Sequence, residues 1–162
     1  MAPEAAPMAV VKRTIHIRVP IEKAFRVFTE KMGMWWPTTH RIGPQPYQDV
    51  IVEPRTEGRW FERGGNGVES DWGRVLIWEP PHRLLLAWHL QQPDWKFHPD
   101  PARASEVALE FFAEGLEATR MEFEHRHIER HGEGWQVMRE KVDSPGGWTA
   151  VLAGYEAVIR NR

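Results

Sequence analysis

The sequence contains no cysteine, which excludes disulfides, thiolate metal sites and cysteine nucleophiles. It has no apolar run near the ~20 residues of a membrane-spanning helix. The first residues, Met1-Ala-Pro-Glu-Ala-Ala-Pro-Met8, lack both a basic region and an apolar core. They are read as a disordered lead-in over 1–9 rather than a signal peptide, ahead of a single domain over 10–162. Neither sign of charge dominates: 21 Lys and Arg face 23 Asp and Glu, a net charge of −2, so neither nucleic acid nor a membrane is an expected partner. The chain is expected to be cytoplasmic and a monomer or homodimer. No Gly-x-Ser-x-Gly, no Ser/His/Asp arrangement and no His-Glu-x-x-His occurs, so no hydrolase or zinc-protease chemistry is indicated. The Gly64-Gly-Asn-Gly67 turn does not lie between a strand and a helix, which argues against a phosphate cradle.

Tryptophan, in contrast, is abundant. The chain has nine, against two tyrosines. Each buried indole removes on the order of 200 Å² from water, worth ~5 kcal/mol gross at about 25 cal/mol per Å². A domain of this size does not need so much aromatic surface merely to fold. Flat apolar walls with a few donors suit a pocket for an apolar or aromatic molecule; the bland alternative is that the rings plug a wide sheet.

The hydrophobic pattern gives the architecture. Val11 to Val19 alternates as a half-buried strand. Pro20 opens a helix whose Ile21, Ala24, Phe25 and Phe28 form one stripe, and Gly33 is expected to break it. Met34, Trp35 and Trp36 form a second short helix ending at Pro37, and Thr38 to Tyr47 is a loop. Strands are expected over Gln48–Pro54, Gly58–Arg63, Glu69–Trp78, Arg83–Gln91, Ser105–Ala113 and Thr119–Ile128, separated by Gly- and Pro-rich breaks. Arg130 to Ser144 reads as a polar connection with at most a helical turn. Trp148, Leu152, Tyr155 and Ile159 mark a final helix. The order strand, two helices, six strands, long helix is that of an α+β domain in which a curved antiparallel sheet wraps around the C-terminal helix.

Several strings resemble the activator of heat shock protein 90 ATPase homologue-like family, within the START/Bet v 1-like (SRPBCC) superfamily. Arg13 to Phe28 is similar to the family's first strand and helix. Met34-Trp-Trp-Pro37 resembles its Trp-Trp-Pro segment, and Trp72-Gly-Arg-Val-Leu-Ile-Trp-Glu-Pro-Pro-His-Arg-Leu84, continuing to Trp88, its most recognisable stretch. Thr119 to His125 and Gly146-Gly-Trp-Thr-Ala-Val-Leu152 match its last strand and final helix. The likeness covers roughly 11 to 160 and implies the helix-grip (Bet v 1-like) fold. Functions across the superfamily range over lipid, hormone and sterol binding, aromatase-cyclase chemistry and chaperone stimulation, so the fold does not fix the activity. The eukaryotic activator's separate amino-terminal domain is not seen in this chain. Glu57-Gly-Arg59 replaces the family's Gly-Gly-Arg, which alters a turn.

Strand parity and the resemblance place the candidate ligand-binding residues. Trp35, Trp60, Trp72, Trp88, Phe111 and Phe123 are expected to line a cavity from the helix and sheet side. His125, Trp148, Leu152 and Tyr155 close it from the last strand and final helix. The entrance is expected at the 36–47 loop and the start of that helix. Glu62 shares the face of Trp60, and Arg74, read as sharing the face of Trp72, Leu76 and Trp78, is its expected partner. Such a pair can orient a polar ligand group or stand as a structural ion pair, and the structural reading is favoured. His125 and His127 share a face at i, i+2 and can hold a metal or act as acid and base. A third ligand is missing, because His89 points away and His131 lies in a loop. No metal and no cofactor is therefore expected. The leading expectation is binding of a hydrophobic or aromatic small molecule. The alternatives are a cavity enzyme using Glu62, Arg74 and His125 on an aromatic or polyketide-like substrate, and a chaperone-interaction module, implied by the family name alone.

Overall fold

The computed structural model describes residues 9–44 and 46–160; the lead-in expected over 1–9 lies outside them except for Ala9, which is buried. Strand β1 (Val11–Ile17) buries Val11, Ile15 and Ile17 and exposes Lys12, Thr14 and His16, as alternation dictates. Helix α1 (Ile21–Glu30) buries the expected stripe, with Val27 and Thr29 beside it. The break after α1 falls at Lys31, and Gly33 lies inside helix α2 (Met32–Trp35) rather than ending α1. A Cβ at Gly33 would strike Asp49 and the Val50 backbone, so the glycine is what allows α2 to lie directly on β2 (Tyr47–Val52).

Strands β3 (Arg59–Gly64), β4 (Glu69–Glu79) and β5 (Arg83–Trp88) continue the meander. The strand expected to run through Gln91 ends at Trp88. His89 donates its N–H to Trp72 and accepts from His98, so the chain leaves the sheet as a small hairpin of β6 (Leu90–Gln91) and β7 (Lys96–Phe97). Strands β8 (Ser105–Ala113) and β9 (Thr119–Arg126) complete a seven-stranded antiparallel sheet in the order β1-β9-β8-β5-β4-β3-β2. Strand β9 stops two residues early because His127 takes a left-handed conformation, φ 58°, and its ring turns outward beside Glu106 and Glu129. His127 therefore does not share the inner face with His125.

The segment read as a polar connection holds a nine-residue helix, α3 (Trp135–Asp143). A kinked turn over Pro145–Thr149, with Gly147 at a non-helical φ −89° and ψ −127°, leads into α4 (Ala150–Arg160). The sheet's concave face grips α4 through Val151, Leu152, Tyr155 and Ile159. A Cβ at Gly154 would meet the Trp35 carbonyl, so this glycine sets the close approach of α4 to α2. Outer faces carry charge ladders such as Lys12–Glu124 and Arg126–Glu106.

Glu57 has φ 69°, a left-handed conformation that costs an L-residue about 1–2 kcal/mol. Glycine there loses about 0.4–1 kcal/mol through the entropy of the unfolded chain. Glu57→Gly is expected to raise stability by about 0.5–1 kcal/mol, read as a higher urea midpoint; a lower midpoint would show that the turn is not strained.

Candidate functional site

Two β-bulges decide which side chains face inward. The β3–β4 register shifts between Trp60 and Phe61, so that Gly73 opposes Trp60 and Asp71 opposes Phe61. Trp72 is the extra residue. It stays on the concave face, but the alternation reverses after it: Val75 is fully buried and Leu76 is exposed. A second shift between Val75 and Ile77 turns Trp78 back toward Phe25, with ring centroids 5.3 Å apart. Arg74 is carried outward by the first bulge. It donates to the Gly73 carbonyl at 2.8 Å, lies 3.6 Å from Asp71 and sits over the Phe97 ring. The expected Glu62–Arg74 pair does not form.

Glu62 keeps its inward orientation with different partners. Its carboxylate accepts hydrogen bonds from the backbone N–H of Ile42 (2.7 Å) and Gly43 (3.1 Å) and from Trp72 Nε1 (2.9 Å). It thereby holds the 36–47 loop down from below. Three further bonds secure that loop. Trp36 Nε1 donates to the His40 carbonyl, the Tyr47 hydroxyl donates to the Trp36 carbonyl, and His40 Nε2 donates to the Gly146 carbonyl at 2.7 Å. Burial, with a smaller contribution from Glu62, pushes the Tyr47 phenol up to about 12.

Under this loop lies a cavity of about 360 Å³. Trp72 and Trp88 form its sheet side, Trp36 and Ile42 come from the loop, Trp148 from the turn before α4, and Trp95 from the small hairpin. The indoles contact one another: Trp36–Trp72 at 4.7 Å between centroids, Trp36–Trp148 at 5.8 Å and Trp88–Trp148 at 5.5 Å. Three of these rings have their N–H bonded to protein acceptors: Trp36 to His40, Trp72 to Glu62, and Trp148 to His125 Nδ1 at 3.0 Å. Trp88 Nε1 is buried without a hydrogen-bond partner.

The remaining expected residues lie behind this wall or away from it. Trp60 packs between Trp36, Trp72 and Trp88 and donates to Met32 Sδ. Trp35 donates to the Val27 carbonyl and fills the space between Phe28 and Tyr155. Tyr155 donates to the Ala24 carbonyl, and burial raises its phenol above the ordinary range. Phe111 meets Phe25 and Phe28. Phe123 packs against Trp148 with the rings tilted, and Leu152 is in the same core. The 36–47 loop supplies residues that strand parity could not assign: Trp36, rather than its neighbour Trp35, is the wall residue, followed by Thr39, His40 and Arg41. A signal was present, since a Pro/Gly-rich loop following paired aromatics is where binding residues concentrate.

His125 belongs to a buried polar chain whose proton positions follow from one fixed donor. An indole N–H only donates, so His125 Nδ1 accepts from Trp148, and the neutral ring carries its proton on Nε2. That proton goes to Ser105 Oγ at 2.7 Å, whose own hydrogen then goes to His131 Nε2 at 2.7 Å. His131 Nδ1 in turn donates to Gln91 Oε1 at 3.0 Å, and the Gln91 amide donates to the carbonyls of His89 and Arg103. Burial is the main cause of low basicity in both rings. It pushes His125 down to about 3, with His131 adding to it, and His131 to about 4, with Arg103 and His89 adding to it. His89 is lowered too, again chiefly by burial. Both nitrogens of His125 are engaged, and an indole separates it from the cavity. Among the described residues, no cluster of three metal-ligating side chains is present.

The two rings bind protons more weakly when folded than at their ordinary value of 6.5. As pH falls, the unfolded chain therefore takes up protons first. The stability contribution is complete above about 6.5 and is lost toward about 4, at on the order of 1 kcal/mol per pH unit for each ring. Urea unfolding is expected to show a falling midpoint between pH 7 and 5.5, above the range of most carboxylates. The slope should be shallower in His131→Asn. A flat wild-type profile would contradict the neutral, buried rings.

The sequence matches the family model described as activator of Hsp90 ATPase homolog 1-like protein over residues 18–159. Among solved structures, the anthrahydroquino-gamma-pyrone synthase Txn09 complexed with SUM is 34% identical, with a TM-score of 0.65, over 92% of this chain and 96% of that one. The self-sacrificing resistance protein CalC from Micromonospora echinospora is 24% identical, TM-score 0.64, over 94% of both chains. Protein NE0264 from Nitrosomonas europaea is 16% identical, TM-score 0.67, over 96% of both. The last two show likeness of fold alone. No curated protein sequence matches significantly. No helix among the described residues is long and apolar enough to cross a membrane. With the family match spanning most of the chain and a curved sheet gripping its last helix, the chain belongs to the activator of Hsp90 ATPase homolog 1-like family of the SRPBCC superfamily, in the helix-grip fold.

Proposed function

We propose that this chain binds a flat apolar or aromatic small molecule in the cavity beneath the 36–47 loop. The observation that carries this reading is the orientation of the wall indoles. Trp36, Trp72 and Trp148 have their N–H groups bonded to protein acceptors, so what they offer a guest is ring carbon. A volume of about 360 Å³ lies within the range of small-molecule pockets. The 34% identical synthase, solved in complex with SUM, supports a ligand-binding role for this chain. The loop that covers the cavity is the natural entry gate, since His40 and Gly146 meet across its edge.

A second reading is favoured by the fact that this relative is a synthase: the cavity also performs acid–base work. The trio expected from the sequence does not suit it, because Glu62 is engaged by three donors, Arg74 faces outward and His125 is sealed behind Trp148. His40 suits it better. It lines the cavity and, unlike Glu62 and His125, is exposed; its Nδ1 lies beside the Thr39 hydroxyl and its Nε2 donates to the Gly146 carbonyl. The chaperone-stimulating reading has only the family name in its support.

Titration with planar aromatic compounds is expected to quench the intrinsic tryptophan emission saturably. Trp36→Leu is expected to weaken binding about tenfold, the ~1.4 kcal/mol appropriate to a lost aromatic contact, without unfolding the chain. Indifference to a broad panel, together with no mass excess in native mass spectrometry of protein from its own host, would defeat the binding reading. If the cavity is catalytic, His40→Ala is expected to abolish turnover while quenching persists; unchanged turnover would remove His40 from the mechanism.

A further inference from the structure

The cavity's interior is aromatic, but its rim carries charge of one sign. Of the residues that line it, Arg41 comes from the loop and Lys141 from the last turn of α3. Both are exposed. Neither forms an ion pair or a side-chain hydrogen bond among the described residues, whereas most cations elsewhere on the surface are paired, as Arg13 with Asp143, Arg59 with Asp71 and Arg126 with Glu106. No acidic side chain lines the cavity among the described residues. Two carboxylates bonded to or flanking lining residues are already engaged: Glu62 by the Ile42, Gly43 and Trp72 N–H groups, and Asp143 by Arg13 and Arg139. His40, the third titratable group of the lining, is tied to Gly146 and Thr39. In a chain of net charge −2, two unpaired cations on the rim of an aromatic cavity are a local reversal of sign.

Resting on the binding reading above, we infer that the ligand is an aromatic acid. Its ring system lies among Trp36, Trp72, Trp88 and Trp148, and its anionic group, a carboxylate or an ionised phenol, is held at the rim between Arg41 and Lys141. The two cations stand on separate elements, the covering loop and α3, so an anion shared between them also bridges the two sides of the entrance. Attraction between exposed charges is screened within about 10 Å at 0.1 M salt. The preference for an acid is therefore salt-sensitive, while the aromatic contribution is not.

The test uses two probes of one shape, anthracene-2-carboxylate and its neutral amide, with binding followed by quenching of the intrinsic tryptophan emission at low salt. The acid is expected to bind at least tenfold more tightly than the amide. That ratio should fall toward unity in the double variant Arg41→Gln, Lys141→Gln, and likewise in the wild type at 0.5 M salt (a Debye length of roughly 4 Å). Both substitutions are at exposed positions, and binding of the amide by the variant serves as its own check of folding. Equal binding of acid and amide by the wild type, or a preference that survives in the double variant, overturns the inference and leaves the cavity reading in place. Binding of neither probe overturns both.

Discussion

The buried carboxylate of Glu62 is the constraint on which the site depends. It sits on the concave face of β3 with about 1% of its surface exposed and accepts from three N–H groups belonging to two different parts of the chain. Two of the donors are consecutive backbone amides of a loop that has no regular secondary structure of its own at that point. The third fixes the indole of Trp72. Without the carboxylate, each donor left unpaired costs about 1–3 kcal/mol, and the loop loses its attachment to the sheet. The acid expected to pair with Arg74 is instead the fastener that gives the cavity a roof.

The concave face divides into a filled half and a hollow half. Near α1 and the middle of α4, the rings of Phe25, Phe28, Trp35, Phe111 and Tyr155 interlock in the core. Toward the start of α4 and the covering loop, the rings are indoles that contact each other edge to face and leave space between them. Whether the tryptophans fill the sheet or wall a pocket has a divided answer. Trp35 fills and Trp36 walls, although the two are adjacent in sequence.

The strands were legible because each alternates cleanly or is bounded by glycine and proline; Ser105–Ala113 coincides with β8 residue for residue. The long final helix was legible from its four-residue stripe. Helix α3 was hidden because its apolar side has only Trp135, Met138 and Val142, and its N-cap is Gly134, which supplies no capping side chain. Arg74 was misplaced because a bulge at Trp72 reverses strand parity, and a bulge in a strand with apolar residues on both faces leaves no trace in the pattern. His131 could not be joined to His125 through Ser105, since that contact depends on a tight turn following the left-handed His127. Of the cavity lining, Trp72, Trp88 and Trp148 were readable from the pattern. The individual loop residues were not, because a loop has no period from which orientation can be inferred.

The contacts among the indoles have an optical consequence. Trp35, Trp36, Trp60, Trp72, Trp88, Trp95 and Trp148 form a connected network in which each ring centroid lies within 6.3 Å of at least one other. At such separations electronic excitation migrates among rings faster than any one of them emits. These seven indoles therefore behave as one antenna whose energy drains to its lowest-lying member. A quencher in contact with a single ring at the cavity wall would drain all seven.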